Sequence, residues 1–232
     1  MHGAGLLACV LIAVDASAQS HSDWQAQFTV ASDYRHHGLS QLTSGVAAQA
    51  AVDYRHYSGL FVGGVVNNVD YTRGSFDSQR DVQVSAYAGF GWDFPAWDFN
   101  AALHRYAYPG AVVDYDYTAV AMSAIYRERV LASVSYTDAL FALWGEALDY
   151  ELGLIWSLAG ETELTATVGR FRARALGDTE YTHWNVGVSK IHRRLGIDVR
   201  YYGNSESRAL PIGDPSGRRW VLSMSYAVGK RS

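Results

Sequence analysis

The chain of 232 residues contains one cysteine, Cys9, and only four prolines. A lone cysteine can form neither an internal disulfide nor a thiolate metal site, so the fold must be stable without such cross-links. Beyond the N-terminus there is no run of about 18 apolar residues, which excludes membrane-spanning helices. The formal net charge is only −4 and no basic run occurs, which argues against nucleic acid as a partner.

The first 18 residues have the layout of a secretory signal peptide. Residues 4–14 are apolar and uncharged, and Ala16-Ser17-Ala18 forms a small-x-small cleavage site. We therefore expect residues 1–18 to be removed on export and residues 19–232 to form one domain. A buried N-terminal helix is the alternative, and the cleavage site argues against it.

Most of the remaining sequence alternates between apolar and polar residues with a period of two, which is typical of β-strands with one apolar and one polar face. The segment "DVQVSAYAGFGWDFP" (residues 81–95) is an example. Twelve such segments lie at residues 24–36, 45–56, 59–71, 81–94, 96–106, 115–127, 129–138, 147–158, 161–172, 181–193, 195–204 and 218–229. Most exceed the ~5–6 residues of an ordinary globular strand and approach the ~9–11 residues of a transmembrane strand.

The connections between these segments alternate between short and long. Tight junctions such as Tyr57-Ser58 and Pro95-Ala96 are followed by longer stretches such as residues 72–80. Even-stranded outer-membrane barrels have this arrangement, with short periplasmic turns and longer extracellular loops. We predict an all-β fold, a closed antiparallel transmembrane β-barrel of about 12 strands, because an open edge in lipid would leave backbone groups unpaired. A soluble β-sandwich or lipocalin-like barrel is the alternative, but sandwich strands are shorter.

The two faces of such a barrel have different partners, outer-membrane lipid outside and water inside. A dry core could hold the many inward charges only if each were paired, so they indicate a wet lumen. The predicted pore-lining residues are Asp33, Arg35, Asp53, Arg55, Asp81, Tyr87, Asp98, His104, Glu151, Glu163, His183, Asp198 and Arg200. The predicted aromatic girdle at the water–lipid interfaces consists of Trp24, Tyr54, Trp92, Phe94, Trp97, Trp156, Trp184 and Trp220.

One tetrapeptide, Asp-Tyr-Arg-His, occurs twice, at residues 33–36 and 53–56. If both copies end a wall strand, the Asp and Arg side chains point inward, Tyr joins the girdle, and His36 points outward. We interpret the repeat as a product of alternation rather than a shared binding site, because the copies should lie a membrane thickness apart.

The last long loop, residues 204–219, is the predicted constriction of the lumen. Pro211 and Pro215 stiffen it, and its charged candidates for the constriction are Glu206, Arg208, Asp214 and Arg218. The alternative is a solvated surface loop.

Three stretches together resemble one known family. "SDYRHHGLSQ" (residues 32–41) is similar to a Ser-x-Tyr…Arg-Gly-x-Ser-Gln segment, residues 52–71 to a hairpin that ends in Asn-x-Asp-aromatic, and "HRYAYPG" (residues 104–110) to a Tyr-x-Tyr-Pro-Gly signature. These segments resemble those of the TorF family of porins from proteobacteria. The resemblance implies a small barrel with a pore and no catalytic residues. The family's Arg before Gly is His37 here, and the chain lacks the terminal aromatic residue of many outer-membrane barrels.

We predict a porin-like channel for passive diffusion of small hydrophilic solutes or ions, located in the outer membrane of a Gram-negative bacterium. We predict no enzymatic activity and no cofactor or metal. Barrels of eight strands are filled by side chains and those of 16–18 strands are open, so about twelve strands allow a narrow, selective or plugged lumen. The inward acids slightly outnumber the arginines, which favours weak cation preference.

An outer-membrane enzyme and a structural barrel are the two alternatives. A lipid hydrolase, acyltransferase or protease needs a base within ~2.6–3.2 Å of its nucleophile. The candidates near one predicted rim are His36, His37, Ser40, Asp178, Glu180 and His183, and their spacing is not diagnostic. A structural barrel would be expected to have longer loops. The sequence identifies neither the solute nor the oligomeric state.

Overall fold

The structure is a computed structural model that describes residues 23–42, 45–70, 81–109, 114–143, 145–206 and 218–229. The wall strands are β1 (Asp23–Ala31), β4 (Ala47–Arg55), β5 (Leu60–Val69), β6 (Asp81–Phe94), β7 (Trp97–Ala107), β8 (Tyr117–Tyr126), β9 (Val130–Thr137), β10 (Ala147–Leu158), β11 (Thr162–Ala173), β12 (Thr179–His192), β13 (Leu195–Asn204) and β14 (Arg219–Gly229). Two short strands, β2 (Arg35–His36) and β3 (Leu39–Ser40), form a separate hairpin. Two 3-10 helices span Leu140–Ala142 and Arg174–Leu176.

The wall is a closed antiparallel barrel. Each wall strand from β4 to β14 pairs with its neighbour in sequence, and β1 pairs with both β4 and β14 to close the ring. The predicted fold is therefore confirmed, and apart from the end of the first strand the predicted strand limits agree within two residues. The part of the chain that the structure describes contains no helix long and apolar enough to cross a membrane.

The two faces of the wall are chemically distinct. Apolar side chains such as Leu152 and Leu154 are 59% and 45% exposed on the outside. Their polar neighbours in sequence point inward, as in β14, where Leu222 is exposed and Ser223 is buried. A soluble barrel would place the apolar face in its interior, because burial of apolar surface drives folding in water. The exposed apolar exterior is the surface that a hydrocarbon environment requires.

The first predicted strand is wrong beyond Ala31, because the chain turns into the barrel there. β2 and β3 form a tight hairpin whose two turn residues, His37 and Gly38, have φ values of 49° and 76°. Positive φ at both central residues is the geometry of a type I′ hairpin turn. We call residues 32–42 the inner hairpin. Its Tyr34 and His36 are buried, which corrects the predictions that Tyr34 joins the girdle and that His36 points outward.

The inner hairpin contributes to an apolar cluster at the end of the barrel where the long loops lie. Leu39 and Leu42 of the hairpin pack there with Leu140 and Phe141 of the loop between β9 and β10. Wall residues such as Phe171 complete the cluster from the inward face. The interior at this end is therefore narrowed by packed side chains rather than open across its full width.

Candidate functional site in the barrel interior

Most of the predicted pore-lining side chains lie on the inward parity of the wall strands. This group comprises Asp53, Arg55, Tyr87, Asp98, His104, Glu151, Glu163, His183, Asp198 and Arg200. Asp33 and Arg35 also lie inside, but on the inner hairpin rather than on a wall strand, and Arg35 Nε donates to Asp33 Oδ2 over 3.0 Å. Asp81 belongs to β6, and its side chain lies outside the part that the structure describes.

A carboxylate on β10 joins the inner hairpin to the wall. Asp149 Oδ2 lies 2.6 Å from His37 Nδ1 of the hairpin, and Asp149 Oδ1 lies 2.9 Å from His183 Nε2 of β12. His183 Nδ1 is also 3.9 Å from Glu151 Oε2. Because carboxylate hydrogen bonds are about twice as strong as neutral ones, Asp149 is a principal anchor of the hairpin.

Backbone contacts hold the turn of the hairpin against the same wall. Tyr181 Oη donates to the His37 carbonyl over 2.8 Å, and Asn204 Nδ2 donates to the Gly38 carbonyl over 2.9 Å. A Cβ atom on Gly38 would lie 2.5 Å from His183 Cβ, so only glycine allows this close approach. These contacts fix the position of the inner hairpin in the lumen.

His36 follows Arg35 on the hairpin, outside the membrane-spanning strands. Burial, and then the neighbouring His37, lower the pKa of His36 well below its ordinary value. A neutral imidazole has one donor and one acceptor nitrogen. His36 therefore adds polarity but no charge to the interior at neutral pH.

A second polar group fills the lumen between β11 and β13. Arg200 is fully buried, and its guanidinium pairs with Asp198 at 2.9 Å and donates to Thr165 and Asn185. Ser189 Oγ also donates to Asp198 Oδ2. Because the charge of Arg200 is paired with Asp198 and its guanidinium also donates to Thr165 and Asn185, this group can occupy a dry part of the interior.

A third group lies between β4 and β7. The Tyr87 hydroxyl donates to Asp53, and Arg55 contacts Asn100 Oδ1 and lies over the Phe61 ring. The side chains of these strands therefore narrow the lumen on the side of the barrel opposite Arg200.

A cavity remains between the inner hairpin and the β8–β9 side of the wall. Small inward residues line this side, including Ala119, Ala121, Ser133 and Ser135. The hairpin histidines bound the cavity on its other side, and His183 also lines it. Along the wall, the small residues are flanked by His104 on β7 and by Asp149 and Glu151 on β10. The small side chains leave space here, whereas long paired side chains fill the Arg200 side.

The predicted girdle residues lie on the outer face and near both ends of the barrel. Trp24, Tyr54, Trp92, Phe94, Trp97 and Trp156 lie toward the short turns, and Trp184 and Trp220 lie toward the long loops. Trp24 and Tyr54 contact each other with ring centroids 4.8 Å apart, and Trp97 contacts Tyr126 at 4.7 Å. Aromatic rings at the ends of the apolar band suit the two interfaces of a bilayer.

The predicted constriction loop is described only at its ends. Glu206 and Arg218 are visible beside β13 and β14, while Arg208 and Asp214 lie outside the described residues. Among the described residues, the segment that enters the lumen is the inner hairpin, which the alternation does not predict. The pair His37-Gly38 between two short alternating stretches is the sequence signal that could have indicated it.

The candidate catalytic residues do not form a nucleophile–base pair. Ser40 Oγ donates to Asp33 Oδ1 and also lies within hydrogen-bond distance of the Leu42 carbonyl, and within the described part of the chain it forms no hydrogen bond with a histidine. Glu180 is exposed and pairs with Arg170 on the outer face, while Asp178 is exposed beside it. Among the residues described, no group of His, Cys, Asp and Glu has the arrangement of a metal site.

Comparison with known proteins supports the barrel assignment. A family model described as "Bacterial protein of unknown function (Gcw_chp)" matches residues 15–211. The name TorF is not part of this description, so TorF stays a resemblance. No curated protein matches the chain by sequence.

Several solved structures that resemble this fold are porins or outer-membrane channels. The chain resembles the KdgM porin in complex with disordered oligogalacturonate at a TM-score of 0.56 and 7% identity, covering 88% of this chain and 98% of that chain. It resembles the COG4313 outer membrane channel from Pseudomonas putida F1 at a TM-score of 0.53 and 11% identity, covering 94% and 98%. It resembles a TodX deltaS2S3 mutant monoaromatic hydrocarbon channel at a TM-score of 0.51 and 11% identity, covering 92% and 91%.

Proposed function

The chain belongs to the Gcw_chp family and has the fold of outer-membrane channels, and from its interior we infer that it is a porin-like channel for small hydrophilic solutes or ions. One observation carries the proposal: a closed barrel with an apolar exterior encloses a polar interior that still contains a cavity. Passive diffusion through such a lumen needs no catalytic group, and we propose that the protein is not an enzyme.

The proposed route follows the β8–β9 side of the wall. Ala121, Ser133 and Ser135 leave space there, and Asp149 and Glu151 lie beside Ser135 and Ser133 on the adjacent strand β10. The inner hairpin and the Arg200 group occupy the remainder of the section. A barrel of this size with a partly filled lumen should conduct less than an open porin of 16–18 strands.

The charges on the inward face favour cations over anions. The inward carboxylates with described side chains include Asp33, Asp53, Asp93, Asp98, Asp149, Glu151, Glu163 and Asp198, and the inward arginines include Arg35, Arg55, Arg200 and Arg219, which also pairs with Asp33. Because Arg35 and Arg200 are paired with Asp33 and Asp198, they add little net positive charge to the lumen. A lumen of net negative charge attracts cations and repels anions.

The proposed location is the outer membrane of a Gram-negative bacterium, reached through cleavage of residues 1–18. The exposed apolar band would contact lipid, and the girdle residues would lie at its two interfaces. In this orientation the short turns and both ends of the mature chain face the periplasm, and the long loops face outward.

Planar-bilayer recording of the refolded protein tests the proposal. We expect stepwise conductance that is smaller than that of an open 16-stranded porin measured in the same bilayer. Heat-modifiable gel migration of the same sample controls for the folded barrel. A folded barrel that gives no conductance steps would contradict the proposal, and lipase or protease activity of that sealed barrel would favour the enzyme instead.

A further inference from the structure

A column of aromatic rings runs along the interior between the two ends of the barrel. It begins near a short turn on β5 and ends at the long loops. Its members, in order, are Phe61, Tyr87, His104, Tyr106, Tyr117, Phe141 and Tyr108. Successive ring centroids are 6.3, 5.3, 6.1, 4.6, 5.2 and 5.7 Å apart. These are the separations of rings in mutual contact, so the column is continuous.

The middle of this column borders the cavity. His104, Tyr106 and Tyr117 line it from β7 and β8, and Ser133 and Ser135 line it from β9. A solute in the cavity would therefore meet aromatic surface together with hydroxyl groups. Sites that combine aromatic surface with a few placed polar groups are typical of small-molecule binding.

Two buried polar atoms beside the cavity have no hydrogen-bond partner among the described residues. They are Nδ1 of His104, whose residue is 8% exposed, and Nη2 of Arg35, whose residue is 2% exposed. Both residues line the cavity. Because buried polar atoms in native proteins are usually paired with protein, water or ligand, this part of the cavity suits a polar occupant rather than a hydrocarbon.

The charges around the cavity restrict the ligand further. Asp149 and Glu151 line the cavity, and Arg35, the cation nearest the turn of the hairpin, is paired with Asp33. A carboxylate-bearing solute would face this negative charge and is disfavoured. A hydrocarbon would leave the polar atoms of His104 and Arg35 without partners.

We propose that the cavity beside His104, Tyr106 and Tyr117 is a binding subsite for a neutral saccharide. One face of a pyranose ring presents C–H groups to an aromatic ring, and its hydroxyls can pair with His104, the serines and the carboxylates. The subsite rests on the proposed channel function, since the solute must enter through the lumen. It adds solute selectivity to passive diffusion.

The test is solute-induced block of ion current through the refolded protein in planar bilayers. The probes are maltose, as the neutral saccharide, and galacturonate, as its anionic counterpart. We expect maltose to reduce the current saturably and galacturonate to do so at roughly tenfold higher concentration or above. Equal block by both probes, or no block by maltose, would overturn the proposal.

Variants of Tyr106 separate stacking from general effects on the barrel. Loss of one aromatic contact in Tyr106→Leu should raise the maltose concentration for half block by roughly 2- to 10-fold. Tyr106→Phe retains the ring, so its maltose concentration for half block should stay near the wild-type value. This variant distinguishes loss of stacking from misfolding. Tyr150→Leu, on the exposed outer face, is the matched control and should not change the block.

The outcomes for the two proposals can be told apart. Ion conductance without saturable maltose block overturns the subsite alone. A folded barrel without conductance overturns the channel and the subsite together. Unchanged maltose block in Tyr106→Leu shows that the column does not bind the sugar and also overturns the subsite.

Discussion

Replacing Asp149 by alanine should loosen the inner hairpin and increase the time that the channel spends in larger conductance levels. Asp149 bonds to His37 on the hairpin and to His183 on the wall. The variant lacks the contact with His183 whether the hairpin is docked or released, so this loss does not change the free-energy difference between the two positions. Only the contact with His37 changes the balance between these two positions.

The magnitude follows from that one contact. A hydrogen bond to a charged group contributes about 1.5–3 kcal/mol, which corresponds to roughly a 10- to 150-fold change in the ratio of docked to released hairpin. Tyr181 and Asn204 still hold the turn in the variant. We therefore expect more frequent large openings rather than a permanently wide pore.

Single-channel recording of refolded Asp149→Ala measures this ratio directly. Asp93→Ala is the matched control, because it removes a carboxylate from the same inward parity at the short-turn end of β6. The control should keep the wild-type distribution of conductance levels. If Asp149→Ala also keeps it, or if both variants change it equally, the hairpin is not held by Asp149 in the manner described.

Three other predictions concern the turn, the buried pair and the net charge. Gly38→Ala should increase the frequency of large openings, because the added Cβ would collide with His183. Gly160 has a similar φ of 70° but open space around it, so Gly160→Ala is the control and should not change the openings. Equal single-channel records for the two variants would contradict the close fit of Gly38 against His183. Arg200→Ala should lower the free energy of unfolding by about 3–5 kcal/mol in urea titrations, because it leaves Asp198 buried and unpaired. The double variant Arg200→Met/Asp198→Leu removes both charges and should recover most of that loss. A double variant no more stable than the single one would count against this reasoning. The reversal potential in a KCl gradient should have the sign of cation preference, and anion preference would contradict the charge argument.

The wall of the barrel could be predicted because residues along each strand alternate between a lipid-facing and a lumen-facing position, and their polarity alternates with them. In β10 the alternation from Ala147 to Leu158 gives both the strand limits and the face that each side chain occupies. Lipid and lumen impose opposite chemistry on neighbouring residues, so a single strand contains enough information for its own assignment. The predicted limits of β6, β10 and β13 coincide with the observed ones.

The inward position of the inner hairpin could not be predicted, because it depends on distant residues. The two copies of Asp-Tyr-Arg-His illustrate this. Tyr54 contacts the Trp24 ring at the outer face, whereas Tyr34 is buried and donates to Gln83 over 3.0 Å. The local sequence is the same, and the difference arises from partners such as Gln83 and Asp149 that are far away in the chain. A tight turn at Gly38 permits the reversal, but only these contacts direct it inward.

The central claim is that inward positions of the wall face a conducting aqueous lumen and that outward positions face lipid. It can be tested with single cysteines, because Cys9 is the only cysteine in the sequence. In a cysteine-free background, Ser135→Cys lies on the cavity side of β9 and Leu152→Cys lies on the exposed outer face of the adjacent strand β10. The measurement is the ion current through the reconstituted protein before and after a charged, water-soluble thiol reagent. We predict that modification lowers the current for Ser135→Cys and leaves it unchanged for Leu152→Cys. The reverse pattern, or an unchanged current for both, would contradict the claim.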